Sequence, residues 1–176
     1  MKLFIKRYIK KTARFLLAAC LTLGTLSACG KGTPLLTAVD YELDADAGQT
    51  SRGISVGDDA EAFLSAYGDY QILTSVDGGD YQALSAEEIP FTGNGVKTIL
   101  PTFFIDGLAI DTDSFCKENE IEKSSLLTYL SSEDYLQKHT VVYHYLVFTW
   151  DNGVITQLSS ESMDYNADAA YYEEVE

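Results

Sequence analysis

The residues best suited to covalent chemistry in this sequence are three cysteines and two histidines, and one cysteine stands at an unusual junction. Cys29 directly follows an apolar run (15–26) and two small residues, Ser27 and Ala28. A thiol is a soft, readily ionised nucleophile and suits the formation of a thioether. Small residues before it let the backbone enter a narrow protease cleft. Cys29 is therefore the first candidate for a modified residue.

The segment before Cys29 has the features of an export signal. Residues 1–14 contain six basic and no acidic residues, and residues 15–26 are almost continuously apolar. A membrane-spanning helix needs roughly 20 apolar residues, whereas a run of about 12 suits the hydrophobic region of a signal peptide. A basic start holds the N-terminus on the cytoplasmic side. We therefore predict a signal peptide over residues 1–28.

The segment Leu26-Ser27-Ala28-Cys29-Gly30 resembles the lipobox of bacterial lipoproteins. This resemblance implies that the chain is cut before Cys29 and that lipid attachment occurs at Cys29, with palmitate-type chains in the cell membrane and the domain outside the cytoplasm. Each buried CH₂ contributes about 0.8 kcal/mol, so two chains anchor stably. The alternative is an ordinary cleaved signal with a chance cysteine.

The charge of the mature chain limits its partners. Residues 29–176 hold 27 acidic and six basic residues, a formal charge of −21. Such a surface repels phosphate backbones, so no nucleic acid is expected as a partner. The preferred explanation is a solvated surface that avoids non-specific contacts. The alternative is a cation-rich or basic protein partner.

Length and composition favour one core-stabilised domain. The 148 residues after the signal are one domain's worth, and Cys116 is the cysteine that remains beside Cys29, which excludes an intramolecular disulfide. We expect Cys116 to be a small buried residue, with a reactive thiol as the alternative. We assign residues 29–49 to a flexible tether spanning about 25 Å, 50–162 to an α+β domain and 163–176 to an acidic tail.

A helix is predicted to start within residues 56–61 and to end at Gly68. Asp58 and Glu61 form a capping-box pattern at its start, and Gly68 can end it in the left-handed conformation. The helix buries one face, made of Ala60, Phe63, Leu64 and Tyr67.

Strands are predicted on both sides of the glycines in 77–80, as a hairpin, and over 96–110. Pro101 lacks an N–H and marks an edge or a break. Asp106-Gly107 suits a tight turn. Residues 113–138 return to helix, with an apolar stripe of Leu126, Leu127 and Leu130, a cap from Asn119 and Glu122, and a restart at Ser131-Ser132.

The last predicted element is a hairpin around Asp151-Asn152-Gly153. A two-residue loop places Trp150 opposite Ile155 and Phe148 opposite Gln157. A three-residue loop ending in a left-handed glycine instead pairs Trp150 with Val154, Phe148 with Thr156 and Leu146 with Leu158. Because a slip of one residue reverses the face of every side chain, we favour the three-residue loop, which aligns the apolar groups.

The run 52–58, the helix after it and the segment 66–69 resemble a pattern in small bacterial lipoproteins. These are the outer-membrane-assembly lipoproteins of the SmpA/OmlA type, proteins of the β-lactamase-inhibitor-like fold, and uncharacterised Gram-positive lipoproteins. The resemblance implies an α+β fold, with short helices packed on an antiparallel sheet that the late hairpin (145–158) closes. It also implies a fold that tends to bind proteins and has no active site. The region 77–135 is longer than in that pattern, and no inhibitory loop or assembly partner carries over.

Few other residues suggest a site. His139 is expected at the end of a helix, and His144 half-buried in a strand, on the face of Leu146 and Phe148; neither has the neighbours that a metal site requires. Arg52 is expected to pair with a carboxylate. The 11 tyrosines of the mature chain are expected in the core and sheet, with an aromatic platform for sugars or peptides as the alternative.

Residues Asp111-Thr112-Asp113 match the start of a calcium loop, and Glu122 matches its twelfth position. Phe115 and Cys116 do not match the ligand types that the loop needs. Helix capping by Thr112 or Asp113 is therefore the preferred explanation, with weak calcium binding at the acidic surface as the alternative.

The function that these observations favour is that of a membrane-anchored, non-enzymatic binding or protein-interaction module. We predict no catalytic residues, no cofactor and no metal. The expected partners are the membrane, through the lipid, and a protein or cell-wall component. The alternative is a carboxylate-dependent extracytoplasmic hydrolase, which would need two carboxyl groups held in a cleft.

Overall fold

The computed structural model of the chain describes residues 34–44 and 46–167. The predicted signal peptide and Cys29 therefore lie outside the described residues. The strands are β1 Leu43–Asp44, β2 Gln49–Thr50, β3 Leu73–Ser75, β4 Gln82–Ala83, β5 Val96–Ile105, β6 Leu108–Ala109, β7 Val141–Asp151 and β8 Val154–Asp164. The α-helices are α1 Ala60–Tyr67, α2 Thr112–Glu118, α3 Leu126–Leu130 and α4 Glu133–Leu136, with short 3-10 helices at Ala38–Tyr41 and Lys123–Ser125.

The main sheet is antiparallel, in the order β4-β3-β5-β7-β8, and β6 pairs with the end of β5. Strands β1 and β2 form a separate small hairpin. The predicted α+β class is confirmed, as are the hairpin of β3 with β4 and the turn at Asp106-Gly107 between β5 and β6. The three long strands β5, β7 and β8 form the centre and one edge of the sheet.

Side chains of β7 alternate between two packed layers. We call the side with Leu146, Phe148 and Trp150 the front face and the side with Tyr143 and Tyr145 the back face. Helix α1 and the N-terminal segment pack on the front face, whereas α2, α3 and α4 pack on part of the back face. The side chains in the front core with almost no exposed surface are Phe63, Tyr67, Val96, Leu100, Leu146, Phe148, Trp150 and Ile155.

Helix α1 begins and ends differently from the prediction, although its buried stripe is confirmed. Its N-cap is Asp59, whose carboxylate accepts the Ala62 N–H at 2.9 Å, while Asp58 accepts the Ser55 N–H at 2.8 Å. The left-handed ending at Gly68 is wrong, because its φ is −61°. Glycine is required there for space: a Cβ would lie 2.5 Å from the carbonyl oxygen of Leu64.

The folded part begins inside the segment predicted as a tether. Leu36 and Tyr41 are 2% and 4% exposed and belong to the front core. The Tyr41 hydroxyl lies 2.7 Å from Thr102 Oγ1, in the middle of β5. The structure thus assigns the second half of 29–49 to the domain, because large apolar groups there cover the sheet. At the other end, β8 runs to Asp164, and residues 168–176 of the predicted tail lie outside the described residues.

Pro101 lies inside an unbroken strand but at a local gap. It is paired with Tyr145 of β7, whereas the pairing of β3 ends at Ile99 and that of β6 begins at Phe104. The missing N–H of Pro101 therefore costs no strand hydrogen bond on that side. The expectation of an edge is right for this one position, and the expectation of a break is wrong.

The predicted three-residue loop of the last hairpin is wrong. Asn152 and Gly153 both have positive φ, 51° and 83°, and form a two-residue turn, with Trp150 opposite Ile155. A β-bulge then inserts Thr156, whose hydroxyl donates to the Thr149 carbonyl oxygen at 3.2 Å. The bulge shifts the register of β8 by one residue, so that Phe148 is paired with Leu158 and not with Gln157 or Thr156.

The helical segment on the back face follows the prediction except at its caps. Leu126, Leu127 and Leu130 are buried, and α4 begins after Ser132, as expected. The predicted cap of Asn119 and Glu122 is wrong, because the Asn119 side chain donates to the carbonyl oxygen of Phe115 in the preceding helix.

Candidate functional site

The back face carries an open groove beyond the helices. Helices α2 to α4 cover Phe103 and Tyr143 at one end of this face, and the groove, of about 460 Å³, lies toward the other end. We call it the polar groove; its lining residues are Val56, Lys97, Val147, Thr149, Gln157, Leu158, Ser159 and Glu161.

The register of three strands positions these side chains as a regular array. Lys97 of β5 is paired with Thr149 of β7, which is paired in turn with Gln157 of β8. Two residues further along each strand, Val147 is paired with Ser159. Strands lie about 4.8 Å apart and rise about 3.4 Å per residue, so the Cα atoms of Lys97 and Glu161 are about 17 Å apart along the diagonal. The groove thus has a cation at one end, a carboxylate at the other, and hydroxyl and amide groups between them.

The carboxylate of Glu161 is held by a neighbouring tyrosine. The Tyr145 hydroxyl donates to Glu161 Oε2 at 2.8 Å. Burial and the hydrogen bond to this carboxylate raise the pKa of Tyr145 above its usual range, so its hydroxyl stays a neutral donor. Burial, with a further contribution from Glu161, also raises the pKa of Tyr81. At this end of the groove, the Glu161 carboxylate is therefore a hydrogen-bond acceptor of fixed orientation beside two neutral tyrosines.

Strand β8 is an edge strand, and the loop before α1 covers only its start. The N–H of Gly57 donates to the Ile155 carbonyl oxygen at 2.8 Å, and the N–H of Ile155 donates to the Asp58 carbonyl oxygen at 2.9 Å. In the described part of the chain, no strand pairs with the outer side of β8 after this point. The exposed edge and the polar groove share the residues of β8.

The two histidines lie in separate places. His139 Nδ1 is 2.7 Å from Asp106 Oδ2, and the ring packs on Tyr135 of α4. The His139 ring and the Thr140 N–H hold the pKa of Asp106 below its usual range. His144 is half-buried on the front face, as predicted, and burial lowers its pKa.

The contact between Asp106 and His139 has a structural role, because it links two segments of the chain. Asp106 is in the left-handed conformation at the β5–β6 turn, with φ 51°, and its second carboxylate oxygen accepts the Thr140 N–H at 2.8 Å. One carboxylate thus joins this turn to the segment that enters β7. The prediction that His139 ends a helix is wrong, because α4 ends at Leu136 and His139 lies three residues beyond it.

The predicted pairing of Arg52 is confirmed. Its Nε donates to Asp40 Oδ1 at 3.0 Å, and its Nη2 donates to the Tyr70 hydroxyl at 2.6 Å. Asp40 also accepts from the backbone and the hydroxyl of Thr37. These bonds fasten the N-terminal segment to the end of α1.

Cys116 and the calcium-like segment have structural roles. Cys116 is 4% exposed, as predicted, and burial raises the pKa of its thiol. The N-cap of α2 is Asp111, one residue before the predicted capping residues, and its carboxylate accepts the N–H groups of Asp113 and Ser114. Across residues 34–44 and 46–167, no three His, Cys, Asp or Glu side chains are grouped closely enough to hold a metal ion.

The polar groove was not predicted from the sequence. Its polar residues alternate along β7 and β8, but their common face depends on the bulge at Thr156 and on the position of β5 beside β7. The available signal was the polar composition of 156–162, which contrasts with the apolar run in β7.

Comparison with known proteins gives no match to a family model, to a curated protein or to a solved structure. Each helix within 34–44 and 46–167 is too short or too polar to cross a lipid bilayer.

Proposed function

We propose that this protein is a lipoprotein anchored to the cell membrane through Cys29, and that its domain, outside the cytoplasm, is a non-enzymatic binding module. The observation that supports binding is the polar groove. It is an open surface on the sheet, with Lys97 and Glu161 at its two ends and hydrogen-bonding side chains and three apolar ones between and beside them. Such a surface suits an extended partner, a protein segment or a wall polymer.

The groove supports binding better than the alternative of a carboxylate-dependent hydrolase. Glycoside hydrolysis by such enzymes uses two carboxyl groups on opposite sides of the bond that breaks. Among the residues that line the polar groove, Glu161 is the single carboxylate, and it already accepts a hydrogen bond from Tyr145.

Two experiments test the proposal. Metabolic labelling with a palmitate analogue in a bacterial host is expected to label the wild type and Cys116→Ser, and to leave Cys29→Ser unlabelled as precursor. Label on Cys29→Ser would contradict the anchor. For binding, a photo-crosslinking residue at Gln157 is expected to give a discrete product in native membranes, whereas one at exposed Thr128 of α3 is not. Equal products from both positions would contradict a role for the groove.

A further inference from the structure

The outer side of β8 pairs with no strand beyond its start in the described part of the chain. Beyond Ile155, alternate residues of an antiparallel strand direct their backbone groups to opposite sides. Ile155 points outward, and the bulge adds one residue after it, so the next outward groups belong to Leu158, Ser160 and Ser162. An exposed row of this kind is a template for strand addition.

The edge is only partly protected. Natural edges are blunted by short length, by proline, by charged side chains, by bulges and by covering loops. Strand β8 has a bulge at Thr156 and the acidic residues Glu161 and Asp164, but it contains no proline or lysine and is 11 residues long. The chain itself already uses the start of this edge, because Gly57 and Asp58 make two backbone hydrogen bonds with Ile155. The start of the edge therefore already binds backbone groups of the turn before α1 in the native fold.

Charge selects the kind of strand that fits. The acidic residues along the edge and at its two ends are Asp58, Asp59, Glu161 and Asp164. Lys97 is two strands away from β8, across the groove. A second copy of the chain would bring the same acidic edge, and residues 168–176 carry four acidic residues and no basic one. Repulsion of like charges therefore disfavours both the edge of a second copy and residues 168–176 of the same chain as the strand that pairs with β8.

We infer that the outer edge of β8 binds an extended, basic segment of a partner protein by strand addition. The inference rests on the proposed binding function and names its partner class. In such a complex the partner's backbone pairs with Leu158, Ser160 and Ser162. Lysine or arginine side chains of the partner, on the same side of the sheet as the back face, lie beside Glu161 and extend the polar groove.

The test uses the full chain and a defined probe, a capped peptide of alternating lysine and valine with about ten residues, a length that suits a single strand. Its matched control replaces each lysine with glutamate. Amide exchange measured by NMR is expected to be fast at Ser160 and Ser162 in the free protein and to slow by about tenfold with the basic peptide, because each amide gains a partner. The acidic peptide is expected to have no effect.

Variants separate strand addition from other kinds of binding. Ser160→Pro removes one outward N–H, which edge strands tolerate, and is expected to weaken peptide binding about tenfold through the lost backbone bonds. Ser160→Ala keeps the N–H and is expected to bind as the wild type does. If Ser160→Pro unfolds, Glu161→Lys tests the contribution of charge in the same assay and is expected to weaken binding of the basic peptide.

Several outcomes would overturn the inference. These are slow exchange at Ser160 and Ser162 in the free protein, a dimer in sedimentation that buries β8, equal binding of both peptides, and unchanged binding by a folded Ser160→Pro. Peptide binding with unchanged exchange at the edge would also overturn strand addition, but it would leave the groove as a binding surface. Failure of lipid labelling at Cys29 would refute the anchor and leave this inference standing.

Discussion

The indole N–H of Trp150 donates to Thr98 Oγ1 at 2.9 Å, between neighbouring strands of the sheet, and both residues are 0% exposed. The Trp150 ring contacts Phe63 of α1 at 5.1 Å and Phe91 at 4.6 Å between centroids. The same side chain therefore joins β5, β7 and α1, and its polar atom is satisfied inside the core.

Removal of this contact is expected to destabilise the domain by amounts that depend on which partner is changed. Trp150→Ala should lower the free energy of unfolding by about 3–5 kcal/mol, because it leaves a large cavity. Thr98→Val should cost about 1–3 kcal/mol, because it leaves the buried indole N–H without an acceptor. Urea unfolding followed by circular dichroism measures both values.

The control is the pair Trp150→Phe and Trp150→Phe/Thr98→Val. In the phenylalanine background the N–H is absent, so Thr98→Val is expected to cost less than it does in the wild type. An equal cost in both backgrounds would show that the hydrogen bond contributes nothing.

Asp40 is expected to make the stability of the domain depend on pH in the acid range. Burial raises the pKa of Asp40, but the hydrogen bonds from Thr37, the charge of Arg52 and the bond from Ser51 outweigh it, so the pKa is lowered. A group with a lowered folded pKa stabilises the fold above its unfolded pKa of about 3.9 and loses this contribution as the pH falls through the folded value.

The measurement is the free energy of unfolding against pH for the wild type and Asp40→Asn. The two curves are expected to differ most above about pH 5 and to converge below the ordinary aspartate pKa of about 3.9. Glu42→Gln, at an exposed side chain two residues away, is the matched control. A constant difference at every pH would mean that Asp40 acts through packing and not through its charge.

His139→Gln is expected to raise the pKa of the Asp106 carboxyl toward its usual value. The hydrogen bond from the His139 ring is the largest cause of the lowered pKa, and the Thr140 N–H remains in the variant, so the return should be partial. Carboxyl chemical shifts in an NMR titration follow this change. Asp44 is an internal control: the N–H groups of Ala47 and Asp46 lower its pKa, and it should titrate identically in both proteins.

Gly153→Ala is expected to destabilise the last hairpin by about 1–2 kcal/mol, the cost of a left-handed conformation for a residue with a Cβ. Space is not the reason, because an added Cβ would lie 3.8 Å from Thr92 Cγ2, an ordinary contact. Thermal unfolding measures the loss. Gly153→Asn should cost less, because asparagine tolerates this conformation better. Equal losses for the two variants would point to a cause other than the backbone.

The hairpin shows what local sequence predicts and what it does not. The Asn-Gly pair and the alternation around it predict the hairpin and the buried face of Phe148. The register depends on the bulge at Thr156, and a bulge is visible only when both strands and the layer beneath them are known. A rule that aligns apolar residues directly across the strands reached the wrong loop, because the chain aligned them by inserting one residue.

The N-terminal boundary was missed for a different reason. Large apolar residues are few after Leu36 in the segment 30–49, which is rich in Gly, Thr, Ala and Asp, so composition alone suggests a linker. The burial of Leu36 and Tyr41 depends on a distant strand, since the Tyr41 hydroxyl meets Thr102. The polar groove is likewise a product of tertiary pairing, because Lys97 and Gln157 are 60 positions apart in the chain and share one row of the sheet.

The burial of Leu36 would also limit the distance between the domain and a bilayer that holds the proposed lipid anchor. With the lipid on Cys29, as proposed, seven peptide links separate the acyl anchor from the first core residue. Even a straight chain of this length extends no more than about 25 Å. Under the proposed anchoring, the domain would lie close to the headgroups, and a binding partner would have to approach the membrane surface to reach it.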